Sequence, residues 1–234
     1  ANVSICSRNL SNLKFAKKKI LSLKKDAKLL MIKQDLADIK NLKNLVKIIE
    51  KYFKSKIDIL INNSGGPSRK PIMQTTSKDW DNAFNVNLKS AIYLSVMVAK
   101  SMKNKKWGRI INLTSTTAKE AAKNMCLSNI TRAGLTSFGK TLSLEVAEYG
   151  ITVNTILTGG VLTDRLKNLI KTKTKKSKKN YKKEIERISK NIPVQRIANP
   201  DEFIQLILFL CSNKSSYVTG TAIPVDGGSS KSIF

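Results

Sequence analysis

The sequence predicts a single α/β domain built on a doubly wound parallel sheet. Two observations carry this expectation. Apolar runs of strand length alternate with helix-period segments along the whole chain. Several of those runs are apolar at nearly every position, the pattern of strands covered on both faces. The length, 234 residues, suits one such domain.

The elements follow in order. Residues 3–6 read as a short strand, and Leu13, Ala16, Ile20 and Leu23 recur at helical spacing through 12–24. Residues 29–32 form a second apolar run ending at Gln34 and Asp35. Leu42, Leu45, Val46, Ile49 and Phe53 fall on one face of a helix over 41–53. A third strand, 57–61, is closed by Asn62-Asn63-Ser64-Gly65-Gly66-Pro67. Ser77 caps a long helix running to about Met102, and Gly108 precedes a strand over 109–113. A second long helix covers 123–149, with Leu135, Phe138, Leu142 and Val146 on one stripe; Gly150 ends it, and 151–157 is the next strand. Asn199-Pro200-Asp201-Glu202 has the form of a helix start, with Asn as cap, Pro at the first position and Glu at the third. Residues 221–225 are the last strand. The Lys-rich stretch 165–190 breaks the rhythm and reads as a mobile surface insertion or a lid.

Composition narrows the function. The chain is 41% hydrophobic, which argues against disorder. There is no His, so Ser–His–Asp and Cys–His mechanisms and His-ligated metals are excluded, and no metal site is expected. Cys6, Cys126 and Cys211 are far apart and odd in number; they read as buried or inert thiols of a reducing, cytoplasmic location. No apolar run reaches the ~18 residues of a membrane span, and no signal peptide opens the chain. The net charge of +27 raises a nucleic-acid partner. Yet only seven of the 43 basic residues are Arg, the residue suited to bidentate readout, and the Lys are spread over every helix. No specific nucleic-acid binding is expected.

In a doubly wound sheet, ligands bind beyond the carboxyl ends of the strands. The polar residues there are Ser7, Arg8, Asp35, the Asn62–Gly66 turn, Thr114, Ser115 and the segment 158–163.

Several of these stand in motifs. Ile59-Leu60-Ile61-Asn62-Asn63-Ser64-Gly65 resembles the fourth-strand Asn-Asn-Ala-Gly of the short-chain dehydrogenase/reductase family. Asn85-Val86-Asn87-Leu88 resembles the mid-helix segment holding its catalytic Asn, and Gly108 to Ser115 resembles the strand ending in its catalytic Ser. Val153-Asn154 and Gly159 to Asp164 resemble the segment over the nicotinamide; Tyr217-Val-Thr-Gly220 and Val225-Asp-Gly-Gly228 resemble the C-terminal signature. Five weak motifs in order make a specific resemblance over essentially the whole chain, nearest to the 3-oxoacyl-carrier-protein reductases. It implies a Rossmann-like fold, hydride transfer between a nicotinamide cofactor and a carbonyl/alcohol pair, a small-molecule or acyl-carrier-bound substrate, and a homo-oligomer formed through the two long helices.

The sequence departs from the family pattern twice. The family opens with a central strand and a Gly-rich turn that cradles the pyrophosphate. Here the first glycine is Gly65, and no G-x-G-x-x-G occurs. Residues 1–8 resemble the family's second strand, so a unit of roughly 30 residues is expected upstream, and its absence predicts a divided sheet. The family's Tyr-x-x-x-Lys begins thirteen residues after the Ser; counting from Ser115 lands on Ser128 and Arg132. That pair keeps the i, i+4 spacing of one helix face. Arg132 can still hydrogen-bond ribose hydroxyls, whereas Ser128 is a far weaker acid than a tuned phenol. Either the proton donor is altered, or the chain is a silent nucleotide- or partner-binding member.

The resemblance implies further roles. Arg8, after the strand that ends near the adenosine ribose, favours NADP over NAD; otherwise it is a surface Arg at a turn. Asp35 matches the adenine-binding Asp, or is a helix N-terminal acid. Asn63, Ser64 and Gly65 let backbone approach the cofactor, and Val161 and Thr163 contact its nicotinamide end. Asn112 and Asn154 read as structural hydrogen-bonders. Lys119 is a weak candidate for a substitute acid.

Overall fold

The computed structural model describes residues 1–177 and 180–233. Lys178 and Lys179, inside the Lys-rich stretch, and Phe234 lie outside the described residues.

Every strand pairing is parallel, as expected, but the strands form two sheets. β1 (Val3–Ser7) pairs with β2 (Leu29–Lys33). β3 (Ile59–Asn62), β4 (Gly108–Ser115), β5 (Ile151–Thr158) and β6 (Ala222–Val225) make the second sheet in that order. β1 and β3 are not paired with each other. Both flank this break with partly exposed apolar residues: Val3 is 39% exposed and Ile61 43%. One apolar cluster joins the two sheets: Leu42, Leu45 and Val46 of α2 (Leu42–Phe53) pack with Leu94, together with Ile32 of β2 and Leu60 of β3.

Helices cover both faces of the larger sheet. α4 (Ser90–Lys105) and α5 (Cys126–Val146) bury Val98, Met102, Leu142 and Val146 against Ile110, Ile151 and Val153. On the other face Phe203 and Leu210 of α8 (Pro200–Leu210) pack on Ile111 and Ile156. Each such side chain contributes roughly 1.5–3 kcal/mol by leaving water. α5 lies close on the sheet because position 139 is Gly: a Cβ there would sit 2.8 Å from Thr155 Oγ1. Two buried amides stitch the layers. Asn62 Nδ2 donates to Asn112 Oδ1 (2.8 Å) and Ser95 Oγ (2.9 Å), and Asn154 Nδ2 donates to the Val218 carbonyl (2.8 Å).

Several boundaries differ from the sequence reading. α1 (Leu10–Leu23) starts earlier because Asn9 caps it, accepting from Ser11 N. The helix expected over 77–102 is capped by Thr76, not Ser77: Thr76 and Asp79 form a capping box, and Lys70 Nζ lies 2.7 Å from Asp79. That helix is also interrupted. α3 (Ser77–Phe84) passes through a π-helical turn, Asn85–Lys89, before α4 begins. α5 starts at Cys126 because Asn124, at φ 61°, is left-handed, and a 3-10 turn replaces its expected last residues.

The described residues of the stretch 165–190 are largely helical. They form α6 (Asp164–Ser177) and α7 (Tyr181–Lys190). Leu166, Ile170 and Thr174 recur every four residues, which gives α6 a face to bury; Ile170 is 3% exposed. Glu184 of α7 is buried and pairs with Arg187 at 2.9 Å. Of the three thiols, Cys6 is exposed rather than buried, because β1 is not covered on both sides.

Candidate active site

The strands of the larger sheet deliver their carboxyl ends together: Ser115 of β4 stands beside Thr158 of β5, and Asn62 of β3 beside Asn112. The Ser115 hydroxyl accepts from Thr117 N at 3.3 Å, capping the short turn Thr116–Ala118. That leaves its own O–H to donate elsewhere. Thr117 Oγ1 lies 3.5 Å from Ser128 Oγ, so Thr117 links Ser115 to Ser128. Sequence reasoning missed Thr117; its only signal was its place two residues after Ser115.

Ser128 and Arg132 share the buried side of α5, at 7% and 6% exposure. Arg132 Nη1 donates to the Leu113 carbonyl (2.7 Å) and Nη2 to the Ser64 carbonyl (3.4 Å). Its Nε is buried without an acceptor. Burial, reinforced by the nearby positive charge of Arg165, pushes the Arg132 guanidinium down to about 10. It remains charged at neutral pH.

Asn87 lies in the π-helical turn and is 2% exposed. Its Nδ2 donates to Ser64 Oγ (2.9 Å) and to the Gly65 carbonyl (2.6 Å). Asn87, Ser64, Gly65 and Arg132 are therefore one hydrogen-bonded group. Arg165, the second residue of α6, reaches the same turn. Its Nη2 donates to the Pro67 carbonyl at 3.3 Å, and a Cβ on residue 66 would lie 3.1 Å from that nitrogen. Glycine at 66 leaves room for the guanidinium. Arg165 was not singled out from sequence, where it is one basic residue among many.

The other expected site residues make different contacts. Val161 bridges to Ala198, and Thr163 caps α6 by accepting from Leu166 N at 3.3 Å. Asn63 is exposed at the turn. Arg8 and Asp35 are exposed beyond the carboxyl ends of β1 and β2; Asp35 accepts from Ala37 N at 2.9 Å, a local turn bond. Lys119 is exposed. Among the described residues no cluster of His, Cys, Asp or Glu could hold a metal, and no helix is long and apolar enough to cross a membrane.

The nicotinamide-ribose end of a dinucleotide fits these residues: Arg132 keeps an unused buried donor, and Ser64 to Gly66 bring bare backbone to an open turn. The helix N-terminus after β1 is capped by the side chain of Asn9.

Comparison with known proteins agrees with this arrangement. The family model described as enoyl-(acyl carrier protein) reductase matches residues 1–230. The 3-oxoacyl-[acyl-carrier-protein] reductase FabG of Buchnera aphidicola subsp. Schizaphis graminum is 36% identical over 195 residues, 82% of this chain and 75% of that protein. The NADPH-dependent reductase BacG of Bacillus subtilis is 31% identical over 229 residues, 98% of this chain and 88% of that protein. The crystal structure of L-sorbose reductase from Gluconobacter frateurii, complexed with NADPH and L-sorbose, superposes with a TM-score of 0.94 at 28% identity, covering all of this chain and 88% of that one. The strand order, the residues gathered at the strand ends and these matches agree: the chain belongs to the short-chain dehydrogenase/reductase family.

Proposed function

We propose that this protein is an NADP-linked reductase of carbonyl compounds, similar to the 3-oxoacyl-carrier-protein reductases, with an altered proton donor. The observation that carries the reading is the linking of Ser115 to Ser128 through Thr117, with Arg132 one turn further along α5 and, like Asn87, tied to the turn after β3.

The nicotinamide nucleotide, when bound, supplies the hydride. Arg132 with Asn63, Ser64 and Gly65 holds its ribose end, and Val161 and Thr163 flank the nicotinamide. Arg8 meets the 2′-phosphate and Asp35 the adenine. Ser115 donates its free O–H to the substrate carbonyl oxygen. The Arg132 charge, largely desolvated, stabilises negative charge developing nearby. Ser128 stands where a phenol would deliver the proton. An alkyl hydroxyl does this poorly, and losing a general acid typically costs 10²–10⁴ in rate.

A further feature belongs to this reading. Tyr93 of α4 and Leu144 of α5, 51% and 72% exposed, support a homo-oligomer through the long helices. Acyl-carrier-bound substrates come with the likeness to FabG; a cytoplasmic location is part of the same proposal.

The test is NADPH oxidation with a panel of ketones. The wild type is expected to be slow, and the double change Ser128→Tyr, Arg132→Lys to raise turnover about 10²-fold or more. A wild type turning over at about 10 s⁻¹ or faster contradicts the altered donor. The second reading, a silent nucleotide-binding member, is favoured by Ser128 itself; it predicts NADPH binding and no turnover in either protein.

A further inference from the structure

The loop that follows Ser115 is tied down along its length. At its start Ser115 Oγ accepts from Thr117 N. On its far side Asn129, the neighbour of Ser128 on α5, donates to the Ala122 carbonyl (3.0 Å) and accepts from Ala122 N (3.4 Å). Between these points the amides of Lys119 and Glu120 both donate to the Thr116 carbonyl at 3.0 Å. The half-buried Glu120 side chain then leaves the loop altogether. Its Oε1 accepts from Ser230 Oγ (2.9 Å) and from the amides of Lys231 and Ser232, in the segment that follows β6.

That segment is shaped to present these donors. Asp226 accepts from Gly228 N (3.0 Å) and Ser230 N (2.7 Å), and the Ser229 hydroxyl donates to the Asp226 carbonyl (2.8 Å). Residues 226–230 therefore curl into a tight turn, with Gly227 and Gly228 in the left-handed region at φ 66° and 83°. The turn is anchored on both sides. Gly159 N, at the end of β5, donates to the Val225 carbonyl (3.0 Å), and Val194 N, after α7, donates to the Gly227 carbonyl (3.3 Å). The Glu120 carboxyl is held below the usual carboxylate range, first by the Ser230 hydroxyl and then by the Ser232 and Lys231 amides. Hydrogen bonds to an ionised acceptor are roughly twice as strong as neutral ones.

We propose that Glu120 is a positioning residue: it clasps the loop 116–122 to the segment 226–232 and thereby fixes Thr117 between Ser115 and Ser128. The reason is geometric. Thr117 Oγ1 meets Ser128 Oγ at 3.5 Å, the outer limit of a hydrogen bond, so a small displacement of the loop breaks the link. The segment after β6 thus orders the hydroxyls at the end of β4 without contributing a reacting group. The effect on turnover rests on the reductase reading; the ordering of the loop does not.

Amide hydrogen exchange of the full chain, read by mass spectrometry, tests this. Wild type is compared with Glu120→Ala, Glu120→Gln and Glu148→Gln; the last removes one negative charge at an exposed residue past the other end of α5. Glu120→Ala should speed exchange about tenfold or more in both 116–124 and 226–232, and leave α2 unchanged. Glu120→Gln keeps an acceptor oxygen and should fall between, while Glu148→Gln should match the wild type. Faster exchange confined to 226–232, or in neither segment, overturns the clasp. Equal acceleration in α2 makes Glu120 a residue of global stability and overturns the positioning role. In NADPH-dependent ketone reduction, Glu120→Ala should lower kcat about tenfold, with KM for NADPH within about twofold and partial recovery in Glu120→Gln. An unchanged kcat beside a loosened loop also overturns the positioning role. A wild type without turnover overturns the reductase reading alone; the exchange result still decides the clasp.

Discussion

Asn87 Nδ2 lies 2.9 Å from Ser64 Oγ and 2.6 Å from the Gly65 carbonyl. This joins the middle of a long helix to the turn that ends β3. The π-helical turn Asn85–Lys89 is what places Asn87 there: a widened turn shifts the helix register, and such turns occur often at functional sites.

Asn87→Ala removes both bonds and leaves two part-buried acceptors without that donor. A stability loss of about 1–3 kcal/mol is expected. Urea unfolding monitored by circular dichroism checks it. A loss under about 0.5 kcal/mol would mean that the helix holds its π-helical turn without Asn87.

Arg132 is a base whose folded-state pKa, about 10, lies well below the ordinary guanidinium value because burial disfavours the charge. The folded state therefore sheds this proton first, and the unfolded state binds more protons between those two values. Stability contributed through Arg132 rises with pH in that window and is flat below it. The wild type should gain on Arg132→Met only above about pH 10, by at most about 1.4 kcal/mol per pH unit. Parallel urea titrations at pH 7, 9, 10 and 11 measure the difference. A difference that stays constant to pH 11 would show that Arg132 is not desolvated.

Asp79 is held down at about 2, first by Lys70 and then by the Thr76 amide and hydroxyl. Its folded-state pKa lies below its ordinary 3.8, so the stability it contributes is present above that value and is lost as pH falls toward 2. Asp79→Asn should destabilise the protein at pH 6, and the two proteins should converge as pH drops from 4 to 2. Thermal melts across that range give the result; a gap that persists at pH 2 would point to packing rather than charge.

If Arg8 meets the 2′-phosphate as proposed, Arg8→Asp should weaken NADPH about tenfold or more and spare NADH, because a charge-assisted phosphate contact is worth about 1.5–3 kcal/mol. Fluorescence titration with both cofactors decides it; equal losses would make Arg8 structural.

The sequence by itself determined what local periodicity and chain order encode. The strand-like apolar runs and the helix stripe Leu135, Leu142, Val146 place their elements, and the parallel α/β class follows from their alternation. The spacing from Ser115 to Ser128 and Arg132 was legible because a strand, a loop and one helix turn are contiguous in the chain. Only the tertiary structure decided the rest, since it depends on groups far apart in sequence. The π-helical turn at Asn87 exists where a helix meets the β3 turn, and no residue pattern in 85–89 announces it. Lys-rich composition hid α6 and α7, whose stability comes from a few buried residues such as Ile170 and Glu184 rather than from average polarity. Arg165 reads as one cation among 43 until folding carries it across about 100 residues of chain to Gly66, on the turn whose Ser64 carbonyl Arg132 also reaches. Charge is a property of the sequence; its concentration on one turn is a product of packing.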